Sequence, residues 1–340
     1  MRKLTLLFFA LALAAGAGSA ARAADAYKVP RTKFGQPDFQ GVWTNTSLTW
    51  LVRPPIFKGL IATPQEEATM LAGFRQMAGD LLADRVDPDL PAPPPVKSAP
   101  QADILEMDLK LARIDGQPRS SWIVEPADGK PPLTAAGQAA TAAAEKSKGY
   151  ADPEARPNEE RCLTSIGLIE GPPMMNGGFN SHYQIVQTRD HVAIYVEMNH
   201  DVRIIRLTDH RRPSPAIAPW MGDSIGWWEG DTLVVETTNL NPKGAYVGGL
   251  TGGFAYSAQA KVIERFTRKA KDMFLYEFTV VDPVTFSRPW RGEMPFRTAP
   301  GPIYEYACHE GNYSLPNILQ GARVQEAEAA RAAAAKPAAP

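Results

Sequence analysis

The chain has 340 residues, of which 44% are hydrophobic and 21% charged, and its formal net charge is −1. This amount of apolar surface excludes a collagen-like, coiled-coil or wholly disordered protein. The charge balance gives no basic footprint and no nucleic-acid-binding motif is visible, so we expect no nucleic-acid partner. The 31 prolines disfavour a mostly helical protein, because proline removes a backbone donor and ends helices.

Residues 1–23 have the pattern of a secretory signal peptide. Arg2 and Lys3 precede an apolar run at residues 4–15, and small residues follow it as far as Ala23. The run is shorter than the ~20 residues that a membrane span requires. The pattern predicts cleavage near Ala23, no membrane span, and a periplasmic or secreted protein.

The predicted export would place the two cysteines, Cys162 and Cys308, in an oxidising compartment. An even number of cysteines in an oxidising compartment favours a disulfide, although two separate buried thiols remain the alternative. The bridge would close a loop of roughly 145 residues and contribute on the order of 5 kcal/mol in the chain-entropy model.

Residues 24–180 predict an irregular and helical wrap with one strand near residues 39–45. Thr63 and Pro64 have the composition of a helix start, with Glu66 in the first turn. The proline-rich residues 84–103 indicate an extended surface linker, and the alanine-rich residues 134–147 a second helix.

Residues 181–325 predict an antiparallel β-domain core, because the hydrophobic period changes to two. Turn-sized gaps separate the first three predicted strands, at residues 183–188, 191–198 and 202–207, and Gly230-Asp231 joins the next two, at 226–229 and 232–238. Further strands are predicted at residues 261–267, 273–281 and 286–294. A last helix is expected after Pro316 to about Ala330. The domain boundaries place a disordered Ala/Pro tail at residues 326–340, which overlaps the end of that helix.

The predicted fold class is therefore mainly β, an antiparallel up-and-down barrel or closed sandwich with irregular and helical N-terminal decoration. Many short strands joined by tight turns favour these folds over a parallel α/β sheet.

Four sequence blocks carry a resemblance to a group of uncharacterised exported bacterial proteins. The blocks are GVWTN at residues 41–45, YQIVQT at 183–188, WEGDTLVV at 228–235 and YEYACHEGNY at 304–313. The resemblance implies relatives and assigns no chemistry.

The triplet Gly41-Val42-Trp43 also resembles the Gly-X-Trp of lipocalin-like (calycin) barrels. This resemblance implies an up-and-down barrel around a small apolar ligand.

Two histidine–acid pairs are the candidate catalytic residues. If the period of the preceding strand continues, His200 lies on the side of Val196 and Met198, next to Asp201, where it could move protons near neutral pH. His309 and Glu310 follow Cys308, and a bridged cysteine would hold them on fixed backbone. A turn histidine and an aromatic structural segment are the simpler interpretations.

The candidate ligand-binding residues form a polar rim and an aromatic face. Asn180, His182 and Tyr183 would belong to the rim, and Tyr276 and Phe278 share one side of a strand.

Two further groups of residues are a set of metal ligands and a pair of glutamates. A metal site from His182, His200, His309 and Glu197 remains open, although no zinc spacing is present. Glu236 and Glu264 lie on mixed strand sides and are interpreted as solvent-facing.

These features favour an exported protein that binds a small apolar or aromatic molecule, because apolar cavities with few polar groups are the usual ligand sites. The first alternative is a cofactor-free lyase, isomerase or hydrolase with His200 and His309 as acid–base groups. The second is a structural envelope protein. We expect no cofactor.

Overall fold

Nine strands close into a β-barrel, which confirms the predicted fold class. The structure, a computed structural model, describes residues 27–83, 110–146, 149–244 and 253–334; the predicted signal peptide and the whole predicted linker at residues 84–103 lie outside these residues. The barrel strands are β1 Gly41–Thr44, β5 His182–Gln187, β6 His191–Val196, β7 Val202–Arg206, β8 Asp223–Glu229, β9 Thr232–Thr238, β10 Lys261–Ala270, β11 Met273–Val281 and β12 Trp290–Thr298.

One neighbouring pair in the barrel is parallel, where the sequence predicted antiparallel pairing throughout. β7 pairs with β8 in parallel, and the other eight neighbours are antiparallel. A closed ring with an odd number of strands cannot alternate direction everywhere, so one parallel pair is obligatory. Residues 207–222 supply the long crossover connection that a parallel pair requires.

The strands alternate between an inward apolar side and an outward side, as the period of two predicted. The inward side chains that are 0–1% exposed include Val192, Ile194, Val196, Ile205, Val235, Val262, Phe266, Phe274, Tyr276, Phe278, Val280, Trp290, Met294 and Phe296. Aromatic rings contact one another along the lumen; the rings of Phe274 and Phe296 stack with centroids 4.8 Å apart. The lumen of the barrel is therefore filled by its own side chains.

Residues 27–40 close the lower end of the barrel, the end at which β5 stops and β6 begins. The Phe39 N–H donates to Oε1 of Gln187, and Nε2 of Gln187 donates to the Pro37 carbonyl. Trp43 is 1% exposed, and the guanidinium of Arg268 lies 4.9 Å from the centroid of its ring. Side chains therefore fill the lower end of the barrel.

Residues 163–181 cover the upper end, where β5 begins and β6 stops. Their backbone is bound by two buried tyrosines: the hydroxyl of Tyr183 on β5 donates to the Ile169 carbonyl at 2.9 Å, and the hydroxyl of Tyr256, which precedes β10, donates to the Pro172 carbonyl at 2.9 Å. The Met174 N–H donates to the Tyr276 hydroxyl. We call residues 163–181 the plug.

The N-terminal wrap adds a second, smaller apolar cluster outside the barrel. The wrap contains β2 (Arg113–Ile114), β3 (Gln117–Pro118), β4 (Ile123–Glu125), α1 (Pro64–Ala83) and α2 (Ala135–Lys146). β4 extends the barrel sheet by pairing with the first half of β12, beyond the point where β1 stops. α1 begins as predicted: Thr63 Oγ1 accepts from the Glu66 N–H, and Glu66 Oε2 accepts from the Thr63 N–H.

The C-terminal helix α3, Ser314–Ala334, is longer than expected. Residues 326–334, which the sequence placed in a disordered tail, continue this helix, because its run of alanine, glutamate and arginine has high helix propensity. Residues 335–340 lie outside the described residues. No described helix combines the length and the apolar character that crossing a bilayer requires.

Candidate functional site

Several residues predicted from the sequence meet at the upper end of the barrel. His182 opens β5 and Glu197 follows β6, and these positions are adjacent because the two strands pair from Tyr183 and Val196. The Glu197 N–H donates to the His182 carbonyl at 3.0 Å. The sheet register therefore brings a histidine and a carboxylate of different strands to one rim.

Glu197 is 1% exposed and joins three chain segments. Its Oε1 accepts from Nδ2 of Asn180 at 2.7 Å, and its Oε2 accepts from the Tyr304 N–H at 3.0 Å. Nδ1 of His182 lies 3.8 Å from Oε1. This carboxylate holds the plug, β5 and residues 299–313, which we call the C-terminal segment, at one point.

His200 does not continue the side-chain period of β6. Residues Met198–His200 form a 3₁₀ turn in which Asn199 and His200 have φ of 63° and 58°, so the chain reverses and the His200 side chain is exposed. Its Nδ1 accepts from the Tyr306 N–H at 3.0 Å, and its ring contacts Tyr195 edge-on. His200 thus lies outside the lumen, at its rim.

Left-handed backbone is concentrated in the loops of the upper end. Among the described residues, Leu168, Asn180, Asn199, His200 and Asn239 have positive φ there. Such conformations store strain in non-glycine residues and recur at functional sites. Their grouping marks the upper end as the candidate functional site.

Two carboxyl groups of this end have raised pKa values. Burial raises the pKa of Glu170 to about 7, in spite of the hydrogen bonds that its oxygens accept from the Ser165 N–H, and the charges of Asp201 and Glu159 add to the rise. Burial also raises the pKa of Asp201. A carboxyl that titrates near neutral pH can act as an acid or a base under physiological conditions.

His309 and Glu310 are exposed and do not join His200 and Asp201. Among the described residues, no hydrogen bond or ion pair connects the two pairs. The predicted disulfide is confirmed: Cys162 and Cys308 are bridged across a sequence separation of 146 residues. It attaches the C-terminal segment to the chain immediately before the plug.

The predicted ligand-binding residues divide between the rim and the core. Asn180 and His182 are half-buried at the rim. Tyr183, Tyr276 and Phe278 are at most 1% exposed and pack against other lumen side chains, so they present no surface to a ligand. Cavities of about 320 Å³ beside α3 and about 150 Å³ beside Asn45 involve none of these five residues.

A buried ion pair lies beneath the plug, and the sequence interpretation missed it. Nη1 and Nη2 of Arg203 donate to Oε1 and Oε2 of Glu264 at 2.9 and 2.6 Å, and the Tyr276 hydroxyl donates to Oε1 at 2.7 Å. Burial lowers the pKa of Arg203, but Glu264 outweighs burial and the net shift is upward. The interpretation of Glu264 as solvent-facing is wrong, because its strand side is the lumen side; Glu236 is partly exposed, as expected.

No described group of three or more histidine, cysteine, aspartate or glutamate side chains has an arrangement that could hold a metal ion.

Comparison with family models, with curated proteins and with solved structures gave no match for this chain. The fold and the site define the class: a disulfide-linked β-barrel with a filled lumen and a cluster of titratable residues at one end. A disulfide fits an exported protein, because such bonds persist in oxidising compartments.

Proposed function

We propose that this chain is an exported small-molecule-binding protein whose ligand lies at the upper rim of the barrel. The observation that carries the proposal is Glu197, a buried carboxylate that fixes three segments where the titratable residues meet. The signal-peptide pattern with cleavage near Ala23 and the disulfide support export. We also propose kinship with the exported bacterial proteins whose sequence blocks the chain shares.

The chemistry of the rim favours a small aromatic molecule that carries a polar group. Tyr304 is 65% exposed, and its backbone N–H donates to Oε2 of Glu197. Exposed tyrosine rings offer an apolar face for stacking, and the half-buried Asn180 and His182 bring polar groups to the same rim. The filled lumen leaves the rim as the place where such a molecule would be held.

Acid–base catalysis is the second candidate function, and the raised pKa values of Glu170 and Asp201 favour it. A general acid or base is most effective when its pKa lies near the working pH, and the Glu170 carboxyl satisfies this condition. In this alternative the bound molecule is a substrate, and the reaction requires no cofactor.

Mass spectrometry of the small molecules released from the purified mature protein tests the binding proposal. We expect one compound in near-stoichiometric amount from the wild type and its loss from Tyr304→Ala. Tyr313→Ala is the matched control, because Tyr313 is a tyrosine of the same segment, 75% exposed and two residues beyond Gly311.

Two results would contradict binding at the rim. One is the absence of any released compound from the wild type, which would favour the structural envelope alternative. The other is equal retention by Tyr304→Ala and Tyr313→Ala, which would place the ligand elsewhere.

A further inference from the structure

The wall of the barrel has a gap along one edge of β12, between the two strands that pair with that edge. β1 pairs with the last two residues of β12 and ends at Thr44, whereas β4 pairs with Arg291 and Gly292. Pro295 lies between the two pairings and has no N–H with which to bind another strand. The sequence of β12 therefore leaves the wall open where the chain departs from β1.

A cavity of about 150 Å³ lies at this gap. We call it the wall cavity. Its lining comes from the end of β1, from the N-terminal wrap and from β12, and consists of Thr44, Asn45, Thr46, Ala112, Pro295, Arg297 and Thr298. A cavity of this volume accommodates a molecule of roughly six non-hydrogen atoms.

Asn45 brings an unsatisfied acceptor to the wall cavity. The Tyr183 hydroxyl donates its one proton to carbonyls of the plug, so its oxygen accepts from Nδ2 of Asn45 at 3.4 Å, and this fixes the orientation of the amide. Oδ1 lies on the other branch of the amide; it is buried and accepts no hydrogen bond from the described residues. Because buried acceptors are almost always hydrogen-bonded, Oδ1 is suited to a donor on a molecule in the cavity.

The charge of the lining favours an anion. Arg297 is half-buried, and no carboxylate is among the described residues that line the cavity. Glu293, the preceding acidic residue on the same side of β12, is bound by Arg119 at 2.9 Å. A guanidinium binds a carboxylate with matched, bidentate geometry.

The remaining lining defines the rest of the ligand. Pro295 and Ala112 are buried and offer apolar contact to a short carbon skeleton. An ammonium group would be repelled by the charge of Arg297, so a hydroxyl is the donor that suits Oδ1 of Asn45.

From these contacts we propose that the wall cavity binds a short hydroxycarboxylate. The carboxylate accepts from the guanidinium of Arg297, and the hydroxyl donates to Oδ1 of Asn45. The site is separate from the one at the upper rim, because neither Glu197 nor Tyr304 lines the cavity. The proposal therefore does not rest on the proposed function.

Titration calorimetry of the mature protein with three probes of similar size tests the proposal without any substitution. Lactate carries both groups, propionate lacks the hydroxyl, and lactamide lacks the charge. We expect lactate to bind, and propionate and lactamide each to bind at least ~10-fold more weakly, because each loses one of the two hydrogen-bonded groups.

Arg297→Gln and Arg291→Gln are the matched pair of variants. Arg291 lies on the same side of β12 but outside the cavity, where it pairs with Glu125 and Glu277. We expect lactate to bind at least ~10-fold more weakly to Arg297→Gln and equally well to Arg291→Gln. Tyr304→Ala, which alters the rim, should bind lactate as the wild type does.

Four results would overturn the proposal: no binding of millimolar lactate by the wild type, binding of propionate or lactamide as tight as that of lactate, equal weakening by the two arginine variants, or loss of lactate binding in Tyr304→Ala. The last result would place lactate at the rim. If Arg297→Gln folds poorly by circular dichroism, the three probes on the wild type still decide the question.

Discussion

Glu264 has no solvent exposure, and its oxygens are bound by Arg203 and Tyr276. Removing one member of a buried ion pair leaves the other charge uncompensated, which typically destabilises a protein by about 3–5 kcal/mol. We expect Glu264→Gln to lower the free energy of unfolding by an amount near the lower end of this range, because glutamine retains one acceptor for Arg203. Urea denaturation measures the change.

Glu229→Gln is the control for this substitution. Glu229 pairs with Arg265 on the outer surface, where both side chains are at least 40% exposed. Exposed pairs contribute at most about 1 kcal/mol. Equal effects of Glu264→Gln and Glu229→Gln would refute the assignment of Glu264 to a buried pair.

Glu170 should make the stability of the protein depend on pH. Its pKa in the folded state, about 7, is above the value of 4.5 expected for the unfolded chain, so the folded state binds this proton more tightly. As the pH rises from about 4.5 to 7, the unfolded state loses the proton first and stability declines. The loss should be complete above pH 7 and amount to a few kcal/mol, on the scale of about 1.36 kcal/mol per pKa unit.

Urea unfolding at pH 5 and pH 8 measures this effect. Glu170→Gln removes the titration and keeps an acceptor for the Ser165 N–H, so the variant should be more stable than the wild type at pH 8. The difference between the two pH values should also shrink. If the wild type and the variant lose the same stability between pH 5 and pH 8, another group is responsible.

At the scale of elements, the disulfide attaches the C-terminal segment to the start of the plug. The Cys162–Cys308 bridge spans 146 residues, and the loss of a native disulfide typically lowers stability by about 2–5 kcal/mol. We expect the double variant Cys162→Ala/Cys308→Ala to unfold at a lower urea concentration. Reductant should shift the wild type to the same midpoint and leave the variant unchanged; a wild type insensitive to reductant would contradict this role.

Gly292 on β12 has no room for a side chain. A Cβ atom there would overlap the ring of Phe278 on β11, with which Gly292 is paired. We expect Gly292→Ala to destabilise the barrel by about 1–3 kcal/mol, the usual effect of overpacking a core. Thermal unfolding measures the change.

Gly73→Ala is the matched control for the barrel glycine. Gly73 lies within α1, and no atom outside the helix backbone lies within 4 Å of the position that an alanine Cβ would occupy. Alanine should therefore stabilise the helix by roughly 0.5–1 kcal/mol. A neutral Gly292→Ala would show that β11 and β12 are less tightly packed than these contacts indicate.

The strands could be predicted where regular alternation of apolar and polar residues alone sets their bounds. β9 and β11 have the predicted bounds because regular alternation ends at a turn on each side. β12 begins four residues later than predicted and continues through Pro295 to Thr298. The predicted strand ended at Met294, but Pro295 lies within the strand, paired with Leu275.

The site was harder to predict because its residues depend on tertiary contacts. The two-residue left-handed turn at Asn199 and His200 turns the histidine outward, which strand periodicity could not indicate. Glu170 and Glu197 are buried by segments distant in sequence. The signal that could have found Glu264 is its place between Val262 and Phe266 on the apolar side of β10. Arg203 had no such signal, because Val202 and Ile204 lie on the opposite side of β7.

At the scale of the whole molecule, the barrel is a scaffold with a solid interior. A lipocalin-like carrier was expected to hold its ligand in the lumen, but aromatic side chains occupy that space from Phe39 at the lower end to Trp290 at the upper. A bound aromatic molecule, as proposed, would therefore lie at the rim, where loops and strand ends are free to differ without disturbing the core.

Titration calorimetry with the compound recovered from the wild type is the most direct test of binding at the rim. It would compare Glu197→Gln, which neutralises the carboxylate at the rim, with Phe278→Leu, which opens space in the lumen. We expect at least ~10-fold weaker binding by Glu197→Gln, because the hydrogen bonds that position Asn180 and Tyr304 would lose a charged acceptor, and such bonds contribute about 1.5–3 kcal/mol each. Binding by Phe278→Leu should be nearly unchanged. Weaker binding by Phe278→Leu with Glu197→Gln unaffected would contradict binding at the rim.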